Sequence, residues 1–257
     1  MKEVNGFCVS TFLCWVSSLL MAVALYLVFF YAPTEQTMGV VQRIFYFHVS
    51  AAWIAFLAFF IVMAASVAYL MGKDAKWDRL AYASAEIGTL FCTIVMLTGP
   101  LWAKPVWNVW WSWDMRLTTT LVLWLMYLGY LMLRRYAEGE RGAKYAAVFG
   151  IFAFLDVPFV YFSVKWWRTL HPGFVVASGG EGGLAPGMLA TLLFCLVTFF
   201  SLFLYLLQYR VALMNLEIEL DKIREAIFEQ SAPRGLPVEN QDFVIEEYNF
   251  FQETPRP

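Results

Sequence analysis

The 257-residue sequence has few charged residues, no phosphate-binding loop and no Cys-x-x-Cys motif. Charged residues make up 15 % of the chain and apolar residues 61 %, whereas soluble domains carry about 25 % charged residues. The composition therefore excludes an ordinary soluble domain. The missing G-x-x-x-x-G-K-[ST] loop indicates that this chain hydrolyses no nucleotide itself. The missing cysteine pairs exclude a thiol-redox protein and a covalent c-type cytochrome, so the four cysteines (Cys8, Cys14, Cys92, Cys195) are interpreted as small apolar side chains.

Six runs with almost no charge are present, and each is long enough to cross a bilayer, which takes about 20 helical residues. Only Asp156 carries a charge within them. Because a helix satisfies its backbone groups within a single apolar segment, the sequence predicts an all-α polytopic membrane protein with six transmembrane helices. The runs are Val4–Thr34, Ile44–Gly72, Ile87–Ala103, Leu117–Leu133, Tyr145–Val164 and Gly182–Tyr209.

The distribution of Lys and Arg predicts the orientation. With a cytoplasmic N-terminus, thirteen of the 18 basic residues lie on the inner side and five lie outside. This asymmetry favours an N-in, C-in topology by the positive-inside rule. The first run has no basic segment before it and no A-x-A cleavage site after it, so we expect it to be retained. The five outer cations are Arg43, Lys104, Arg116, Lys165 and Arg168.

The chain divides into a membrane domain, residues 1–209, and an acidic cytoplasmic tail, residues 210–257. The tail holds five basic and ten acidic residues. Its first part has apolar residues spaced by three and four, which predicts a helix to about residue 230 that packs on a partner or an inner loop. After Ser231 the composition turns to Pro, Gly and acids, and we expect that part to be mobile. The apolar stripe is Leu213, Leu216, Leu220, Ile223 and Ile227.

The outer connection between the third and fourth spans is rich in tryptophan. Residues 102–118 read WAKPVWNVWWSWDMRLT, with five tryptophans in twelve residues. Such flat apolar rings could hold a large flat ligand. They are Trp102, Trp107, Trp110, Trp111 and Trp113.

The predicted topology puts the only two histidines, His48 and His171, in the outer loops on either side of this segment. A neutral imidazole is a good iron ligand, and two from separate loops could approach opposite faces of a porphyrin. Tryptophan also collects at membrane interfaces for solvation reasons alone, and an interfacial histidine can be an ordinary hydrogen-bonded group. The residues by themselves leave both interpretations open.

Three motifs carry a resemblance to a known family. They are RIFYFHVSAAW around His48, the segment LWAKPVWNVWWSWDMRLT, and TLHPG around His171. The central segment resembles the "WWD" signature of haem-handling proteins in cytochrome c maturation. Together with six spans and one histidine in each flanking loop, it resembles the C subunit of the bacterial haem exporter, the CcmC family. Asn108 departs from the pattern, which usually has Gly there.

The resemblance implies a function. The protein would bind haem b at the outer, periplasmic face of the bacterial inner membrane, with His48 and His171 as axial ligands and the WWD rings as a platform. It would deliver the haem to a periplasmic haem chaperone and would not itself be an enzyme. Other implied partners are an ATP-hydrolysing subunit, a second permease-like subunit, a small single-span subunit and the lipid bilayer, with no nucleic acid.

Further polar residues are candidates for the same site. Haem propionates need cations, and Arg116 and Arg168 are the first choices because guanidinium groups bind carboxylates bidentately; Arg43 is a further candidate. Asp114 either pairs with Arg116 or caps the fourth helix, and capping is favoured.

Two alternative functions remain. A permease-type subunit could conduct haem across the membrane, although only Asp156 and Glu86 could line a polar path. A cytochrome c haem ligase shares the WWD segment, but that class is larger and has further histidines within its helices.

Overall fold

A computed structural model of the chain describes residues 2–137, 139–173 and 183–231. Within these ranges the regular elements are helices, and Glu35 and Gly39 form an isolated bridge. In chain order they are α1 (Lys2–Tyr26), a π-helical turn (Leu27–Tyr31), a 3₁₀ turn (Val40–Gln42), α2 (Arg43–Gly72), α3 (Ala75–Trp107), α4 (Met115–Tyr136), α5 (Gly139–Phe154), α6 (Asp156–Trp166) and α7 (Pro186–Ser231).

The described residues contain six segments that are long and apolar enough to cross a membrane, which confirms the predicted all-α, six-span architecture. The orientation of the two ends stays a prediction. The segments are Ser10–Tyr31, Val40–Gly72, Ala75–Trp107, Met115–Tyr136, Gly139–Trp166 and Pro186–Phe228.

Helix α3 is much longer than the uncharged run from which it was predicted. It begins at Ala75, and Asp74 caps its N-terminus because the Asp74 side chain accepts a hydrogen bond from the backbone N–H of Lys76. Two of its acidic residues are paired with other helices: Asp78 with Arg134 of α4 at 2.8 Å, and Glu86 with Arg210 of α7 at 2.6 Å. A paired carboxylate costs far less inside a helix bundle than an isolated one. The charges therefore do not end the helix.

The fifth span is divided into α5 and α6 at Leu155. Pro158 has no N–H to donate to the carbonyl of Phe154, so one hydrogen bond of the helical ladder is missing at this point. The backbone N–H of Leu155 instead donates to the carbonyl of Phe152, at 3.1 Å. The predicted fifth span therefore consists of two consecutive helices, which together form the candidate membrane span Gly139–Trp166.

Helices α2 and α3 approach closely through small side chains. Ala51, Ala55 and Ala58 of α2 are buried, as are Ala81 and Ala85 of α3. Such residues allow close contact between membrane helices.

Gly88 of α3 is required at this contact, because a Cβ there would lie 2.7 Å from the ring of Phe59. That ring in turn stacks on Tyr127 of α4, with centroids 3.6 Å apart. Since α2, α3 and α4 alternate in direction, the start of α2, the end of α3 and the start of α4 meet at one end of the bundle.

The chain divides into two compact units after Leu213. The first holds the bundle described above. The described residues of the second, 214–231, are helical, and the predicted stripe residues Leu216, Leu220 and Ile223 are exposed there. The predicted mobile part of the tail lies outside the described residues.

Candidate ligand-binding cavity

A cavity of about 240 Å³ lies at the end of the bundle where α2 begins and α3 ends. Its walls come from α2, α3, the link between α3 and α4, α4, α6 and the segment that follows α6. Six of the predicted site residues line it: His48, Trp102, Trp107, Trp111, Arg116 and His171. Most other lining residues are apolar, including Phe45, Val49, Phe56, Met96, Leu117 and Val160. The arrangement suits a flat apolar ligand with a few polar groups.

His48 is held in one tautomer by Thr98 of α3. The Nδ1 atom of His48 lies 2.8 Å from Thr98 Oγ1. The Thr98 hydroxyl donates its only proton to the carbonyl of Ile94, at 2.7 Å. It must therefore accept from His48, so Nδ1 carries the ring proton and Nε2 keeps a lone pair. That is the state in which an imidazole can bind a metal.

His171 has the same tautomer, for a different reason. Its Nδ1 atom lies 3.0 Å from the carbonyl oxygen of Pro172, which can only accept, so Nδ1 carries the proton. Its own backbone N–H donates to Thr169 Oγ1 at 3.1 Å. Burial, followed by the positive charge of Arg116, lowers the pKa of His171 to about 4. The ring is therefore neutral at physiological pH and available as a ligand.

The tryptophan-rich segment is not one connection, as the sequence suggested, but the end of a helix followed by a short link. Trp102 and Trp107 lie in the last turns of α3, with ring centroids 4.8 Å apart and planes at 86°. Asn108 ends the helix in the left-handed conformation, with φ of 59°. Asn tolerates this conformation better than most residues with a side chain. Asn108 therefore provides the backbone turn that Gly would make in the resembled pattern.

Only one of the three tryptophans in the link lines the cavity. Trp111 does so and contacts Trp113 edge to face, with centroids 5.7 Å apart. Trp110 and Trp113 are 57 % and 76 % exposed and lie outside the lining. The indole nitrogens of Trp102 and Trp111 are buried with no hydrogen-bond partner among the described residues. These two rings could therefore donate to a ligand as well as cover it.

The start of α4 provides a cation, Arg116, that lines the cavity. Asp114 caps the helix, its Oδ1 accepting from the N–H of Leu117 at 3.1 Å, so capping is the observed alternative. Arg116 Nη1 donates to the carbonyls of Val160 and Tyr161, at 2.8 and 3.2 Å. The guanidinium is thus fixed against α6 at the cavity wall.

The two other predicted cations are not brought into the cavity. Arg43 stands over the ring of Phe29, 5.8 Å from its centroid, and Arg168 is an exposed residue of the segment after α6. Neither belongs to the lining. The structure thus singles out Arg116 among the three arginines proposed from the sequence.

Sequence reasoning missed Thr98, because a threonine within an apolar run carries no distinctive signal. The helical period could have found it, since Thr98 lies four residues before Trp102 and therefore on the same face of α3. The apolar lining of α2 follows the same rule: Phe45, Val49 and Phe56 recur near His48 at spacings of about one or two turns.

The fold and the cavity define a multi-pass all-α membrane protein with a cavity lined by histidine and tryptophan at one end of its bundle. A family model described as heme exporter protein C, CcmC, matches residues 4–226. The chain belongs to this family.

Its relatives come from bacteria and plants. Heme exporter protein C of Bradyrhizobium diazoefficiens is 36 % identical over 195 residues, which cover 75 % of this chain and 73 % of that protein. A putative cytochrome c biosynthesis ccmC-like mitochondrial protein of Marchantia polymorpha is 34 % identical over 189 residues, 74 % of this chain and 79 % of that protein. Heme exporter protein C of Escherichia coli K12 is 33 % identical over 209 residues, 80 % of this chain and 83 % of that protein.

Proposed function

We propose that this protein binds haem b in the cavity, with His48 and His171 as the two axial ligands, and delivers it to a periplasmic haem chaperone during cytochrome c maturation. The observation that carries the proposal is the placement of the chain's only two histidines in one cavity, each with Nδ1 committed to a hydrogen-bond acceptor. Each ring therefore keeps Nε2 for iron. The names of the relatives support haem as the cargo.

The rest of the cavity suits the other parts of a haem. Trp102, Trp107 and Trp111 offer apolar ring surface for the porphyrin. Arg116 also lines the cavity. Among the described residues, its guanidinium donates hydrogen bonds to carbonyls through Nη1 alone. Its remaining N–H groups are the natural partners of a propionate. Asp114 contributes by starting α4 where Arg116 can reach the cavity.

Two tryptophan rings beside the cavity could contact a second protein that receives the haem. The exposed rings of Trp110 and Trp113 lie beside the lining residue Trp111, where such a protein could approach.

The orientation and partners follow from the charge asymmetry and the family. An N-in, C-in topology in the bacterial inner membrane puts the cavity on the periplasmic side. The ATP-hydrolysing, permease-like and single-span subunits would act with this chain, with ATP used in releasing the loaded chaperone. This chain would bind and present haem without making a covalent bond, which is a carrier's role and not an enzyme's.

The permease-type alternative finds less support. A path through the bundle needs free polar groups, but Glu86 is paired with Arg210, and Asp78 with Arg134. These carboxylates join α3 to its neighbours. Within the described helices, Asp156 has a buried Oδ2 atom with no hydrogen-bond partner. A single such residue is not enough to line a polar path for haem across the membrane.

Absorbance spectroscopy of the protein purified in detergent tests the proposal. Wild-type protein reconstituted with haem should show a six-coordinate Soret band. His48→Ala and His171→Ala should each leave a weaker five-coordinate haem that added imidazole restores, and the double variant should lose the band. Gln208→Ala, an exposed residue outside the cavity lining, is the control. Unchanged spectra in both single variants would show that these residues do not bind the iron.

A further inference from the structure

We propose that Thr98 is a positioning residue for His48, selecting the tautomer and ring orientation that offer Nε2 to a haem iron. The inference rests on the proposed function, since it concerns how one of the two ligands is held. Thr98 does not touch the iron in this proposal; it acts through the imidazole.

The Thr98 hydroxyl has only one proton to donate, and this determines which atom of His48 carries the ring proton. A hydroxyl has one proton and two lone pairs. Thr98 Oγ1 lies 2.7 Å from the carbonyl oxygen of Ile94 and 2.8 Å from His48 Nδ1. If the hydroxyl donated to His48 instead, two oxygens with lone pairs would face each other at 2.7 Å with no proton between them. The arrangement with both hydrogen bonds formed puts the ring proton on Nδ1.

The neighbouring residue, Gly99, lies close to the same ring. A Cβ added at Gly99 would lie 3.5 Å from His48 Cε1, an ordinary van der Waals distance, so the imidazole lies next to this point of α3. Thr98 binds Nδ1 of this ring. Two consecutive residues of α3 are therefore neighbours of the His48 side chain of α2.

The two histidines differ in a way that allows a specific test. His171 donates to the carbonyl of Pro172, a backbone group that no side-chain substitution removes. His48 depends on a side chain. A change at Thr98 should therefore loosen only the ligand on one face of the haem.

The experiment compares Thr98→Val with Thr98→Ser in the full-length protein. Valine keeps the shape of threonine and removes the hydroxyl, whereas serine keeps the hydroxyl. Removing such a partner of a metal-bound histidine typically weakens metal binding about 10- to 100-fold. We therefore expect the haem dissociation constant of Thr98→Val to rise by that factor and its spectrum to become partly five-coordinate. Thr98→Ser should keep a near-wild-type dissociation constant and spectrum.

Thr93→Val is the matched control. Thr93 is on the same helix, donates to the carbonyl of Thr89 at 2.8 Å, and accepts from Trp124 Nε1 of α4, also at 2.8 Å. It therefore makes the same kinds of hydrogen bond as Thr98, but its side-chain partner is Trp124, which lies outside the cavity lining, whereas the partner of Thr98 is the lining residue His48. Its substitution should lower thermal stability as much as Thr98→Val does, without changing the haem spectrum.

The last arm repeats Thr98→Val in a His48→Ala background, where it should cause no further loss of haem. A further loss there, an effect equal to that of Thr93→Val, or a failure of serine to restore binding would overturn the positioning role. If His48→Ala weakens haem binding and Thr98→Val does not, the inference fails and the proposed function stands. If His48→Ala itself has no effect, both fail.

Discussion

Trp111 and Trp113 form a natural pair for measuring how much a WWD ring contributes to haem binding. The two rings contact each other edge to face, with centroids 5.7 Å apart, but only Trp111 lines the cavity. Replacing either one by alanine destroys the same ring contact, which is worth about 0.5–1.5 kcal/mol. Only Trp111→Ala also removes a wall of the site. The difference between the two variants therefore isolates the contribution of the ring to the ligand.

The expected magnitude follows from buried area. A buried tryptophan covers about 150–250 Å², and one face against a porphyrin accounts for roughly 60–100 Å² of that. At about 25 cal/mol per Å², the contact contributes about 1.5–2.5 kcal/mol. Since about 1.4 kcal/mol corresponds to a tenfold change in the dissociation constant, Trp111→Ala should weaken haem binding about 10- to 60-fold relative to Trp113→Ala.

Haem titration of the detergent-purified variants, followed at the Soret band, gives the two dissociation constants. Trp111→Phe should retain most of the affinity if the ring acts as a surface. Since Trp111 Nε1 is buried without a partner in the described part of the chain, a hydrogen bond to the ligand is the competing explanation. A Phe variant as weak as the Ala variant would establish that explanation.

Equal losses in Trp111→Ala and Trp113→Ala would refute the reasoning altogether. The effect would then come from the shared ring contact and the shape of the link, and the cavity wall at Trp111 would not be a binding surface.

Further predictions concern charge, pH and topology. Arg116→Gln should weaken haem binding by about 1.5–3 kcal/mol, the worth of a hydrogen bond to a charged group, while Arg168→Gln, an equally outer but exposed cation, should have no effect in the same titration. Because the pKa of His171 is lowered to about 4, haem ligation in His48→Ala protein should persist as the pH falls through 6.5 and be lost only as it approaches 4; a midpoint near 6.5 would contradict the burial of this ring. The depressed pKa also means that the folded state binds fewer protons than the unfolded state, so stability should decline as the pH falls from 6.5 towards 4. In a cysteine-free background, cysteines introduced at Ser112 and Leu170 should both react with a membrane-impermeant thiol reagent added from the periplasm; cytoplasmic labelling at either position would put the cavity on the wrong side.

The sequence by itself determined the number of spans, their helical nature and the family. Long uncharged runs are sufficient for this, because backbone groups in a bilayer leave few other solutions. It also proposed His48, His171 and the tryptophan-rich segment as candidate site residues, since these residue types are rare or clustered along the chain. Asp114 was predictable as a cap from its place before an apolar run.

The tertiary structure decided which of these residues meet. Helix α3 extends through Asp78 and Glu86 because these carboxylates pair with Arg134 and Arg210. Those partners are 56 and 124 residues away along the chain, so the local sequence does not show the pairing. Trp111 and Arg116 line the cavity, whereas Trp113 and Arg168 do not. For Trp111 and Arg116 this depends on where α3 ends and α4 begins. Thr98 becomes significant only because α2 places His48 against it. These hydrogen bonds and cavity walls are formed by residues from different helices. The sequence pattern of one helix does not show which side chains of the neighbouring helices contact it.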